Sequence, residues 1–137
     1  MVSSRESSID WEEDIYSKGD QLNIWPFSDV VSTFHHHSKE WLLKTPPRVL
    51  EVGCGAGNNL WPLALMGFEC FGIDESSSAV KFAKNRFADL ELEAHFHVGS
   101  MENLPFEDGF FDFVLDRAAI TQVPMDRLPE VFRQITR

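Results

Sequence analysis

Residues Val49 to Asn59 read V-L-E-V-G-C-G-A-G-N-N, and no other stretch so limits the folds open to this chain. A short apolar run that carries one acid, Glu51, ends in glycines at alternate positions, Gly53, Gly55 and Gly57. Glycines so spaced let the backbone turn tightly and let a ligand come where any side chain would collide. A helix that opens just beyond them points its free N–H groups at that ligand. This is the shape of a nucleotide-type cofactor loop at the end of a first β-strand.

Around and beyond the loop the pattern alternates between strand and helix. Val49–Val52 reads as a strand, residues 58–66 as a helix stopped by Gly67, and 68–73 as a second strand that ends at Asp74. Ser76 has the place of an N-cap for a helix to about Phe87, with Ala79, Val80, Ala83 and Phe87 on one face. Residues 94–98 read as a third strand and 111–115 as a fourth that ends at Asp116. Asp126 opens a last helix with Leu128, Val131, Phe132 and Ile135 on one side. Strands and helices joined by short links predict an α/β fold with a parallel sheet and right-handed crossovers. Ahead of this lie a short helix and turn (residues 11–25) and an amphipathic helix from an N-cap at Ser28 to about Lys44, stopped by Pro46-Pro47. Residues 1–10 are polar, Ser-rich and expected to fray. The division expected is a helical cap over residues 1–45 and a cofactor-binding domain over 46–137.

With 137 residues the chain is long enough for one domain with a real core. Its formal charge of −10 argues against duplex nucleic acid, which needs clustered Lys and Arg. No apolar run approaches the roughly 20 residues of a membrane span, and M-V-S-S-R-E-S-S lacks the apolar stretch of a secretory signal. The only cysteines, Cys54 and Cys70, read as reduced buried thiols, so a cytoplasmic protein is expected.

The spacing of the loop discriminates among cofactors. A dinucleotide fingerprint wants G-x-G-x-x-G or A, but Asn58 holds the last position; the G-K-S/T of a P-loop is absent. The loop therefore suits a cofactor without a pyrophosphate. Asp74, at the end of the second strand, can accept hydrogen bonds from both hydroxyls of a ribose.

Four motifs stand in order: L-E-V-G-C-G-A-G-N, F-G-I-D-E-S, G-S-M-E-N-L-P-F-E-D-G-F-F-D-F-V and L-D-R-A-A-I-T-Q-V. Together they resemble the Rossmann-like (class I) S-adenosylmethionine-dependent methyltransferases of the small-molecule type, from Val49 to the C-terminus. The resemblance implies a sheet of order 3-2-1-4 and methyl transfer to the O or N of a small acceptor. It implies that Glu51, Gly53, Cys54, Gly55, Gly57 and Asn58 shape the pocket for the methionine end. Asp74 would hold the ribose and Glu75 would lie beside adenine. Ser100 stands where the family often has an Asp that contacts the adenine amino group, and Met101 would cover an adenine face. Asp116 and Arg117 would face the methionine end and the cleft.

Methyl transfer from a sulfonium needs alignment and exclusion of water, and a base only where the acceptor loses a proton. Tyr16, Trp25, His35 to His37, Asp116, Arg117 and Gln122 are candidates for such a role. Three consecutive histidines on a helix point about 100° apart and cannot share an ion, so no metal is expected. His95 and His97 alternate with apolar residues and share one strand face. The aromatic segment with Trp11, Tyr16, Trp25 and Phe27 reads either as core packing or as part of a lid.

The resemblance also implies a turn, a fifth strand and an antiparallel hairpin after residue 137. Three readings of their absence stay open: a fragment of a longer enzyme, a homodimer formed through the apolar edge of strand four, or a non-catalytic cofactor- or partner-binding module.

Overall fold

The computed structural model describes residues 9–42 and 45–137. Of the stretch expected to fray, residues 1–8 lie outside these, while Asp10 is held as the cap of the first helical turn; the helix expected to reach about Lys44, which also lies outside, ends at Trp41 with Leu42 as its C-cap.

Four parallel strands form the sheet, β1 (Arg48–Val52), β2 (Glu69–Asp74), β3 (His95–Val98) and β4 (Phe113–Asp116), in the order β3-β2-β1-β4. This is the expected Rossmann-like arrangement. Alternation along the central strands sends side chains to two cores. Val49 and Cys70 pack with Leu60 and Leu63 of α2 (Leu60–Met66), Ala83 and Phe87 of α3 (Ser77–Asp89), and Phe34 of α1 (Ser28–Trp41). Leu50, Val52, Phe71 and Ile73 pack on the opposite side with Leu104, Phe106, Phe110, Phe111 and Ile135 of α4 (Leu128–Ile135). β1 and β2 are covered on both faces, which is why they read as continuous apolar runs. Among the described residues β4 pairs only with β1, and its Val114 is exposed.

Where element boundaries depart from expectation, local bonding gives the reason. α2 starts at Leu60 rather than at residue 58, because the chain is still turning there: Gly57 N–H donates to the Cys54 carbonyl (3.0 Å) and Leu60 N–H to that of Gly57 (3.2 Å). Ser28 is the first helical residue of α1, and the cap position belongs to Phe27. Phe110 and Phe111 precede β4 and pack edge-on against Phe71, so the strand begins only at Phe113. Asp126 does not cap α4; Arg127 is its N-cap, after a turn closed by Arg127 N–H on the Pro124 carbonyl (2.9 Å). Ser76 does cap α3, accepting from Ala79 N–H at 3.0 Å, and Gly67 ends α2 at φ +105°.

Ahead of the sheet, Asp10 caps a wide helical turn over Trp11–Ile15 that tightens over Tyr16–Lys18 and stops at Gly19 (φ +83°). Residues 22–27 then run without regular secondary structure into α1. Both cysteines are buried free thiols. His35 and His36 are exposed on α1, while His37 stacks on Trp41 with ring centres 4.7 Å apart. His95 lies on Phe71 and His97 meets Phe106 edge-on, both on the α4 side of the sheet.

Candidate active site

Parallel strands bring their C-terminal ends to one edge, and the loops that leave β1, β2, β3 and β4 enclose a cleft there of about 880 Å³. Glu51, Gly53, Cys54, Gly55, Asn58, Asp74, Glu75, Ser100, Met101 and Arg117 all line it, as do Tyr16 and Gln122. Gly57 and Asp116 do not. Gly57 lies beneath the loop, where a β-carbon would stand 3.3 Å from Ala83 and from Phe96. Its bareness therefore serves the packing of the loop on α3 and β3. The Asp116 carboxylate turns back to accept from Ala119 N–H (3.0 Å) and Ile120 N–H (2.9 Å), fixing the turn after β4. Next in that turn, Ala118 takes a left-handed φ of +67°.

The floor is backbone. Gly53 and Gly55 have φ of +63° and +52°. A β-carbon on Gly53 would stand 2.2 Å from that of Ala119, and one on Gly55 would stand 2.5 Å from the Tyr16 hydroxyl. The Cys54 side chain packs into the core although the residue also lines the cleft.

Three acids meet over this floor. Glu51 is 2% exposed; Asn59 Nδ2 donates to its Oε1 at 2.7 Å, and among the described residues Oε2 has no partner. Burial, reinforced by Asp116 and Asp74, pushes its carboxyl up to about 8. Asp74 accepts from Gly55 N–H (2.8 Å) and Ser76 N–H (2.9 Å), and burial still holds its pKa above the usual range. Burial with Asp74, Cys54 and Glu51 nearby pushes the Tyr16 phenol up to about 12, so it keeps its proton at neutral pH. Glu12 reaches across from the N-terminal turn to the start of α3. It accepts from the Ser76 hydroxyl, from Ser78 N–H (3.1 Å) and from the Ser78 hydroxyl (2.6 Å), which holds its pKa below the ordinary value.

On one side of the cleft, Ser100 Oγ accepts from Glu102 N–H (3.2 Å), and Arg127 grips the Glu102 carboxylate. On another, the Arg117 guanidinium lies 4.0 Å above the Phe27 ring and 3.4 Å from Asp29.

The segment 22–27 is bound by side chains. Buried Arg86 of α3 donates to the carbonyls of Leu22 and Asn23, and also to that of Ala56 (2.9 Å) and to Asn58 Oδ1 (2.7 Å). Trp61 Nε1 donates to the Ile24 carbonyl (2.9 Å), Asn58 Nδ2 to that of Trp25 (3.3 Å), and Phe27 N–H to Asn59 Oδ1 (2.9 Å). Asn58 is thus engaged in this strap. The Trp25 side chain stands 76% exposed outside the cleft lining.

Sequence reasoning gave no role to Asp10, Glu12, Asn59 and Arg86, while Phe27, read there as core packing or part of a lid, lines the cleft. Only Arg86 left a signal: it shares the helical face of Ala79, Ala83 and Phe87, which is the buried face of α3.

Comparison with known proteins agrees with the fold and the loop. A methyltransferase domain family matches residues 49–137. The chain is 30% identical over 139 residues to a demethylmenaquinone methyltransferase of Oceanobacillus iheyensis, covering 90% of this chain and 55% of that protein. It is 39% identical over 83 residues to norajmaline N-methyltransferase of Rauvolfia serpentina, covering 58% of this chain and 28% of that one. The solved structure of YcgJ from Bacillus subtilis superposes with a TM-score of 0.66 at 25% identity, over 80% of this chain and 45% of that one. The chain thus spans about half or less of these relatives' lengths. With the match running from β1 to the last residue, and with the strand order and glycine loop in place, the chain belongs to the methyltransferase domain family.

Proposed function

We propose that the cleft binds S-adenosylmethionine and that, in the whole enzyme, its methyl group passes to an oxygen or nitrogen of a small-molecule acceptor. The observation that carries this reading is Glu51 Oε2, a buried carboxylate oxygen without a partner among the described residues, in the lining of the cleft. Such an oxygen suits a cation, and the methionine end of the cofactor bears an ammonium.

The rest of the lining fits the same molecule. Gly53 and Gly55 remove the β-carbons that would obstruct a ligand lying on the loop. Each Asp74 oxygen accepts one backbone N–H and keeps capacity for a ribose hydroxyl. Glu75, Ser100 and Met101 stand where an adenine would follow. Bound there, the cofactor supplies an electrophilic methyl on a positive sulfur. The cleft lining holds six acids, Asp10, Glu12, Glu51, Asp74, Glu75 and Glu102, against two arginines, Arg117 and Arg127, a balance that favours the cationic cofactor over its neutral demethylated product.

The chain's own part is binding, orientation and exclusion of water. Tyr16 over the glycine loop and the strap 22–27 form a cap on the cleft, so residues 9–42 act as a lid to the domain behind them. Arg117 and Phe27 offer the acceptor a flat cationic and aromatic wall. Tyr16, protonated at neutral pH, and Asp116, committed to its turn, are not bases in this scheme. Relatives named for demethylmenaquinone and norajmaline support a small organic acceptor.

Titration calorimetry with S-adenosylhomocysteine and with NAD tests the reading. Binding of the first and not the second is expected. The reverse result overturns it, and analogue binding without methyl transfer by the whole enzyme to any acceptor favours a binding module instead.

A further inference from the structure

Asn59 occupies the N-cap position of α2, yet its side chain does not cap its own helix. An Asn at that position commonly contributes about 1 kcal/mol by capping. Here the amide, 4% exposed, is used elsewhere: Oδ1 accepts from Phe27 N–H at 2.9 Å and Nδ2 donates to Glu51 Oε1 at 2.7 Å. One planar group therefore joins the last residue of the strap to the buried acid of the cleft. Because the two ends of an amide differ, accepting from Phe27 fixes which end meets Glu51. With Oε1 held, Oε2 has no partner among the described residues, and Glu51 lines the cleft.

We propose that Asn59 is a positioning residue that couples docking of the strap 22–27 to the orientation of Glu51, and so to cofactor affinity. The strap is suited to such coupling. From Leu22 to Trp25 its carbonyls bond to side chains of Arg86, Trp61 and Asn58, so it can lift without breaking the sheet. When it lifts, Phe27 N–H leaves and the amide loses the contact that sets its direction. A ligand cation on Oε2 favours the state in which Oε1 is bonded, and by linkage favours the docked strap. Phe27 also carries the ring under Arg117, so the same motion reaches the acceptor wall.

Glu51 is faced by Asp74 and Asp116 from β2 and β4, by Cys54 and Tyr16 from the loop and the lid, and by Cys70 from β2. The Asn59 bond is the contact that favours its ionised form.

The proposal rests on the cofactor reading, and its test separates the two. Affinity for S-adenosylhomocysteine is measured from pH 6 to 9, with hydrogen exchange at the Phe27 amide in the presence and absence of the analogue. No binding by the unaltered chain at any pH overturns the cofactor reading itself. Given binding, the analogue slows Phe27 exchange in the unaltered chain and not in Asn59→Leu. In that variant the midpoint of the pH dependence moves up by about one unit, the size of one lost hydrogen bond to a charged group. Asn59→Asp keeps an acceptor for Phe27 but loses the donor to Glu51: it raises the midpoint while Phe27 stays protected, and it serves if Asn59→Leu does not fold. Trp61→Phe frees Ile24 without touching Glu51, so it weakens binding with the midpoint unchanged. If both Asn59 variants bind more weakly with the midpoint and the Phe27 response unaltered, Asn59 is an ordinary ligand contact and the coupling is wrong.

Discussion

The hydroxyl of Tyr16 lies directly above Gly55, so close that a β-carbon on the glycine would stand 2.5 Å from it. The N-terminal turn and the glycine loop therefore share one space. Gly55→Ala must displace the phenol and also hold φ near +52°, which costs an alanine about 1 kcal/mol. In a Tyr16→Phe background the nearest remaining ring atom is 3.4 Å away, so the clash falls and the backbone term stays. A double-mutant cycle read by urea unfolding should show Gly55→Ala costing less when Tyr16→Phe is already present. Equal costs in both backgrounds would mean that Tyr16 does not rest on the loop.

Gly53→Ala is the harsher change. Its β-carbon would fall 2.2 Å from that of Ala119, and neither atom can turn aside as a long side chain can. A loss of about 2–4 kcal/mol is expected from overpacking and a left-handed φ together. Gly109→Ala, with φ +70° and nothing within 4 Å, should cost only about 1 kcal/mol. Denaturant midpoints of the two variants should separate accordingly.

The Glu51 carboxyl, about 8 in the folded chain against an ordinary 4.5, works against stability as pH rises. Between those values the folded state binds more protons than the unfolded, so stability falls as pH climbs from about 4.5 to 8 and is level above. Glu51→Gln removes this penalty. The variant should gain stability over the parent progressively across that window, by up to about 5 kcal/mol at its top. It should also bind S-adenosylhomocysteine roughly 10- to 100-fold more weakly at pH 8, the value of a charge-assisted hydrogen bond. A variant with undiminished affinity would remove Glu51 from the ligand site.

Much of this architecture is legible in the residues. Val49–Val52 and 68–73 are buried on both faces, so apolar runs are all they can show, and Ser76 and Gly67 carry their cap chemistry openly. The cofactor loop is local, so its spacing could be read directly. Glu12 on Ser76 and Ser78, Arg86 on the strap, and Asn59 between Phe27 and Glu51 were not readable, because each joins segments about 30 or more residues apart or turns on which amide oxygen faces which donor. Asp116 and Gly57 were assigned to the pocket by motif alone; their positions match it, but their atoms hold a turn and a helix contact.

Glu12 ties the N-terminal turn to the start of α3 by accepting from Ser76 and Ser78, and its pKa is held below the usual value. The tie is complete above about pH 4.5 and is lost as pH falls through that lowered value. Glu12→Ala should leave the melting of the sheet nearly unchanged. It should speed tryptic cleavage after Lys18, which lies exposed at the end of the N-terminal turn. Unaltered cleavage would show that Glu12 does not hold that turn.

The most direct measurement is a crystal structure of the chain with S-adenosylhomocysteine. The analogue is predicted along Gly53 and Gly55, its ribose hydroxyls within hydrogen-bond reach of Asp74 and its amino group on Glu51 Oε2. An analogue bound elsewhere, or lying in the cleft with its amino group away from Glu51, would contradict the proposed site.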